Sequence, residues 1–294
     1  MVYFLPNKLL LETKTVADGM YSLVDAFGES AFLACRAHCS PTGISWTQKD
    51  GAAVDVGTGA DISMWVLGTN TFNNNADNGI FQRIGASWNA IGGFAVRISV
   101  GSADNIVVVN SGGGVYKYNG NGGWNNLPGI NARDVAVSSD GSVWAIENTS
   151  GADGPCKRWN GSNWIHMASG YAHRIDAASG NRVAVSTYGG AVYAGSGSGA
   201  FGWSYLGDFG AKDVSIAEDG TFWLVKADPQ NSSKTVLVAL ASNVGSVPQV
   251  GQSQATHAAP NNGSSKVAQL SAINSKSVMV VTDTSEIFKG VLPV

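Results

Sequence analysis

The chain has 294 residues, with 18 Lys and Arg against 21 Asp and Glu, a formal net charge of -3. Without a basic block there is no electrostatic footprint for nucleic acid or for an anionic membrane, and nine Trp, eight Tyr and ten Phe argue against disorder. The 38 Gly are nearly twice ordinary usage; they follow no Gly-X-Y period and fall between short apolar runs, as turns joining many short strands do.

The N-terminal stretch "MVYFLPNKLLLETKT" has no basic leader ahead of an apolar run and no small-residue cleavage site. It reads as a cytoplasmic chain without a signal peptide, with non-classical release left open. No window approaches a membrane span, so no membrane insertion is expected. Cys35, Cys39 and Cys156 make an odd count, which is not a disulfide framework. Cys35 and Cys39, with His38 between them, have metal-like spacing, but no second close pair supplies the remaining ligands. Neither a metal nor a cofactor is expected.

A repeat then runs along the chain. The segment from Met20, "MYSLVDAFGESAFLACR", holds the triplet Val24-Asp25-Ala26. Trp46 precedes Val54-Asp55-Val56 and "DISMWVLG". Four stronger copies are led by Trp88, Trp124, Trp164 and Trp203. Their triplets are Ile98-Ser99-Val100, Val135-Ala136-Val137, Ile175-Asp176-Ala177 and Val214-Ser215-Ile216. A last copy, "VAQLSAINSKSVMVV", supplies Leu270-Ser271-Ala272.

Alternation with period two and turns at this density means strands. A unit of about forty residues with up to four antiparallel strands is one blade of a β-propeller. The triplet forms the innermost strand, "SVWAI" the second, "GGGVYKYNG" or "GGAVYAG" the third, and the Trp-led stretch the outer fourth. The expected fold is all-β, a single β-propeller domain over residues 1–294. Seven triplets favour seven blades, and the short first copy also allows six. The final "SEIFKGVLPV" reads as a third strand, so residues 2–7, "VYFLPN", are expected to pair with it and join the N- and C-terminal strands in one sheet.

The Trp-led outer strand, the "VAVSSDGSVWAI" core and the "VYKYNG" hairpin resemble the tectonin family of β-propeller lectins, most clearly over residues 46–225. The resemblance implies glycan binding at several sites between blades, without catalysis. Glycans or glycoconjugates are the partners it implies, and the oligomeric state stays unknown. An aromatic plate beside amide and hydroxyl groups suits the C–H face and polar edge of a sugar.

The ligand-binding candidates are Arg83, Tyr118, Trp159 and Tyr193 at third-strand ends, and Trp65, Trp144 and Trp223 on second strands. For the second-strand set, packing between blades is the competing role. The outer-strand tryptophans are read as packing, and Asp140 and Asp219 as turn-makers before Gly. No HExxH, G-x-S-x-G or phosphate loop occurs, so no catalytic residue is assigned. The alternative function is a non-enzymatic propeller scaffold for protein–protein interaction, with the irregular residues 227–265 as a recognition loop.

Overall fold

The computed structural model describes the backbone of three strands before residue 43. It then describes residues 43–292, apart from 73, 75, 198–200, 241–253 and 262–264. The chain divides into two compact units, residues 1–42 with 293–294, and residues 43–292. In the first unit, β1 (Glu12–Val16), β2 (Met20–Val24) and β3 (Ser30–Ala34) form one antiparallel sheet in that order. Residues 2–7, Asp25, Cys35, His38 and Cys39 lie outside the described residues.

The second unit is built from hairpins. The first group is β4 (Ser45–Thr58), β5 (Met64–Phe72), β6 (Asp77–Ile84) and β7 (Ser87–Ala95). Next come β8 (Arg97–Ser102), β9 (Asn105–Val109), β10 (Val115–Tyr118) and β11 (Trp124–Asn126). A third set is β12 (Ala132–Val137), β13 (Val143–Glu147), β14 (Gly154–Trp159) and β15 (Trp164–Ala172). A fourth is β16 (Arg174–Ala178), β17 (Arg182–Ser186), β18 (Ala191–Ser196) and β19 (Gly202–Asp208). The fifth is β20 (Ala211–Ile216), β21 (Phe222–Asp228), β22 (Asn231–Leu240) and β23 (Gln254–Ala258). The last strands are β24 (Val267–Asn274), β25 (Ser277–Thr282) and β26 (Glu286–Val291).

Four of these sheets have four strands in sequence order, while β24-β25-β26-β4-β5-β6-β7 form one sheet of seven. Within it β4 serves twice. Its residues 45–52 pair with β26 and its residues 53–58 pair with β5. The strand expected to complete the C-terminal sheet is therefore supplied by residues 45–52, with Trp46 opposite Gly290. The segment read as an irregular loop, residues 227–265, contains the strands β22 and β23.

The expected triplets lie on the innermost strands β8, β12, β16, β20 and β24. Their backbone N–H groups that no ladder uses must find other partners, and side chains of the preceding sheet supply them. Asp55 accepts the N–H of Ile98 at 3.0 Å, Ser99 that of Val137 at 2.9 Å, and Asp134 that of Ile175 at 3.1 Å. Asp176 accepts the N–H of Ile216 at 3.0 Å, Asp213 that of Leu270 at 2.9 Å, and Ser271 that of Thr58 at 2.9 Å. The series passes from β4 through β8, β12, β16, β20 and β24 and returns to β4. Six clusters of buried side chains fill the spaces between successive sheets.

The outer tryptophans cross the same seams. The indole N–H of Trp88 donates to the Asp50 carbonyl at 2.7 Å, that of Trp164 to Leu127 at 3.3 Å, and that of Trp203 to Ala168 at 3.1 Å. Trp124 bonds Gly92, and Trp46 reaches Ala258 at 3.2 Å. Residues 43–292 have an all-β, β-propeller-like architecture of four- to seven-stranded antiparallel sheets.

Candidate functional site

Where the innermost strands meet, acids and bases alternate from strand to strand. Asp55, Arg97, Asp134, Arg174, Asp213 and Gln269 hold this position on β4, β8, β12, β16, β20 and β24. The Arg97 guanidinium bridges two neighbours, with Nε 2.9 Å from Asp134 and Nη1 3.6 Å from Asp55. Its Nη1 also donates to Gln269 Oε1 at 2.6 Å. Burial works against the charge on Arg97, yet Asp134, Asp55 and Asp213 hold its pKa above the ordinary value.

Gln269 stands where the alternation calls for a third cation. Burial pushes Asp213 up to about 7 despite Arg97 and Arg174, with Asp134 adding to the rise. One layer further along the strands, burial likewise pushes Asp176 up to about 6. The cavity between these strands measures about 30 Å³, the size of a water molecule rather than of a substrate.

A longer period underlies this arrangement. Asp55, Asp134 and Asp213 recur every 79 residues, and so do Trp65, Trp144 and Trp223, and Asp61, Asp140 and Asp219. The module is thus two sheets long. Spacing near 40 residues finds single sheets but misses the alternation, which a search at twice that interval reveals. The turn aspartates do more than shape their own turns. Asp61 accepts the N–H of Ala103 at 2.8 Å, Asp140 that of Gly180 at 3.1 Å, and Asp219 that of Ser275 at 2.6 Å, each across a seam.

The candidate binding residues are mostly consumed by packing. Trp65, Trp144 and Trp223 are fully buried, so no ring face is open to a ligand. Each fills the seam after its own sheet, among the side chains of the next one. Tyr118 is wedged between Trp65 and Trp124, with ring centroids 5.2 Å from each. Its hydroxyl accepts the N–H of Gly122 at 3.1 Å. Trp159 packs on Trp164 and Tyr193 on Tyr205, both at 5.3 Å. Arg83 lies over the Trp88 ring at 5.1 Å. The seven residues are distributed over five sheets.

Exposed aromatic side chains lie elsewhere: Tyr205 within β19, and four others at one end of the sheets. Phe72, Phe94, Tyr171 and Tyr188 are 60, 38, 54 and 70% exposed. Phe72 ends β5, Phe94 and Tyr171 lie near the ends of β7 and β15, and Tyr188 sits between β17 and β18. All four belong to the end of the sheets at which the innermost strands begin. Phe72 stacks on Phe94 at 4.6 Å. A pocket of about 330 Å³ at this end is lined by His173, Tyr188, Gly190, Gly210 and Lys212, among others. Among the described residues, no group of three or more His, Cys, Asp or Glu is placed to hold a metal. The Cys156 thiol is buried and pushed up to about 12 by that burial, unsuited to nucleophilic chemistry.

No protein-family model and no curated protein matches the chain. Similarity appears among solved structures. YCF48 bound to a D1 peptide superposes with a TM-score of 0.51 at 14% identity, covering 94% of this chain and 88% of that one. A Bacteroides thetaiotaomicron VPI-5482 protein of unknown function gives 0.53 at 12% identity, covering 85% and 72%. A chain of the mitotic checkpoint complex gives 0.53 at 8% identity, covering 89% and 95%. These similarities support a propeller-like fold and do not single out the tectonin family. The expectation of a lectin with glycan partners is corrected here. A similar solved structure carries a protein peptide, and the tryptophans meant to stack on sugar are sealed in the seams.

Proposed function

We propose that this chain is a non-catalytic, six-bladed β-propeller that docks a protein partner on the end where its innermost strands begin. Six blades rather than seven follow if β4 ends one blade and begins the next, as its two sets of partners suggest. The seventh triplet, near Asp25, precedes residues 43–292, the compact unit that carries the other six. The observation that carries the docking reading is the exposed aromatic set Phe72, Phe94, Tyr171 and Tyr188. Exposed aromatic side chains at one end of a rigid scaffold are the usual anchors of protein interfaces. YCF48, a similar fold, was solved with a peptide bound, which makes a peptide segment a reasonable class of partner here.

Peptide-display selection on the immobilised full-length chain tests this reading. The expected result is an enriched consensus peptide with micromolar Kd, weakened at least about tenfold by Phe94→Ala combined with Tyr171→Ala, as anchors worth 1–2 kcal/mol require. No enrichment, or peptides that bind the double variant equally well, would overturn it.

A further inference from the structure

The two-sheet period lets positions be compared within the chain. The residue before the axial aspartate is Val54 in the first module, Arg133 in the second and Lys212 in the third. The residue before the axial cation is Val96 on the way into β8 and His173 on the way into β16. The fold is therefore content with valine at both places, and the cationic residues collect in one sector, at the starts of β12, β16 and β20.

None of the cations of this sector forms an ion pair among the described residues, although Asp134, Asp213 and Asp55 lie close enough to Arg174 to favour its charge. Among the described residues, ion pairs involve Arg97, Lys157 and Arg182. Arg133 donates to the carbonyls of Thr149, Gly151 and Ala152 and to Asn148 Oδ1. These bonds fix the guanidinium without neutralising it. Arg174, the counterpart of Arg97, makes no hydrogen bond among the described residues, and its Nε is buried without a partner. Lys212 is exposed and unpaired. Asp134 and Asp213 accept the N–H groups of Ile175 and Leu270, and Asp153 accepts that of Tyr188 at 2.7 Å, which fixes these carboxylates in place. Beside the cations, Tyr188 stands edge-on to His173 at 5.4 Å and walls the 330 Å³ pocket.

We infer that this sector is the docking site for an acidic segment of the partner protein, with a carboxylate on Lys212, the positive charge of Arg133 and Arg174 on the adjoining strand starts, and an apolar side chain in the pocket beside Tyr188. An exposed, unpaired lysine at an aromatic-walled pocket, with two further cations at the starts of the neighbouring innermost strands, matches that chemistry. The inference rests on the partner-docking reading and narrows it to one sector and one kind of ligand.

The probe is a fluorescent eight-residue peptide of glutamate and aspartate with one central leucine. Its control has lysine in place of every acid, and binding is read by anisotropy with the full-length chain. The acidic peptide is expected to bind, more weakly as salt shortens the screening length, and the lysine peptide is not. Lys212→Glu should weaken binding about tenfold and Tyr188→Ala about fivefold. Lys276→Glu, the same charge change in an exposed turn at the opposite end, should leave it unchanged. If Lys212→Glu does not fold, Lys212→Ala serves with a smaller expected loss. No binding of the acidic peptide, or equal loss in Lys212→Glu and Lys276→Glu, would overturn the sector. Display-selected peptides that need Phe94 and Tyr171 but ignore Lys212 would overturn this inference and leave partner docking standing.

Discussion

At the scale of single residues, the axial carboxylates and the inner tryptophans carry the sharpest consequences. Asp213 titrates near 3.8 when unfolded and near 7 in the native chain, where burial is the main cause. The folded state therefore holds a proton that the unfolded state releases. That contribution to stability is full below about pH 4, falls as pH rises towards 7, and is flat above. Asp176, raised to about 6, adds to the same slope. Asp140, drawn down to about 2 by Ser138, Ser142 and Gly180 against the effect of burial, acts oppositely at more acid pH. Asp213→Asn keeps an acceptor for Leu270 and removes the titration. Urea unfolding between pH 5 and 8 should show a shallower decline than the parent chain, and an unchanged slope would contradict this account. The tryptophans differ in a second way. Trp223 Nε1 donates to the Asn274 carbonyl at 3.1 Å, whereas Trp65 and Trp144 leave theirs buried and unpartnered. Trp→Phe should therefore cost about 1 kcal/mol more at 223 than at 144, the value of one hydrogen bond, measured by urea midpoints at constant m-value.

At the scale of elements, the seams rather than the strands decide what tolerates change. Gly101, where β8 turns towards β9, lies against the backbone of Ser138 and Ser139 in the neighbouring turn, and a Cβ there would meet main-chain atoms that cannot swing aside. Gly101→Ala should destabilise by at least about 2–3 kcal/mol, as overpacking against rigid structure does. Gly120→Ala sits in open space at positive φ and should cost only about 1 kcal/mol of backbone strain. Thermal melts of the two variants separate the effects, and equal losses would rule out the seam explanation. Strand identity was legible because alternation and Gly-Asp turns are local signals. The second duty of Asp61, Asp140 and Asp219, reaching across a seam, was not, because each acceptor's partner lies on a different hairpin about 40 to 56 residues away. The inner tryptophans were ambiguous for the same reason. Alternation says which face of a strand they occupy, and only the neighbouring sheet says whether that face is open.

At the scale of the molecule, the sequence marks every innermost strand of residues 43–292 but not where the series ends. The triplet near Asp25 follows the same alternation as the rest, and only the shortness of its copy and the lack of a leading Trp distinguish it. β4 conceals the junction further, because one unbroken run of 14 residues belongs to two pairings. In the six-bladed reading proposed above, closure is a matter of non-covalent pairing between β26 and residues 45–52, contacts more than 230 residues apart in sequence. Opening that pairing frees both edges at once, so a covalent link there should stabilise more than a link within a hairpin. Thr47 lies directly opposite Lys289, and Gln82 opposite Asn89. Thr47→Cys with Lys289→Cys closes a very long loop, for which the chain-entropy account gives about 5 kcal/mol, against roughly 2.5 kcal/mol for Gln82→Cys with Asn89→Cys. Oxidised and reduced samples compared by urea unfolding should show the larger gain, and the slower unfolding, for the 47–289 pair. If that pair fails to oxidise in the folded chain while the 82–89 pair does, the two strands are not neighbours and the ring is not closed by β4.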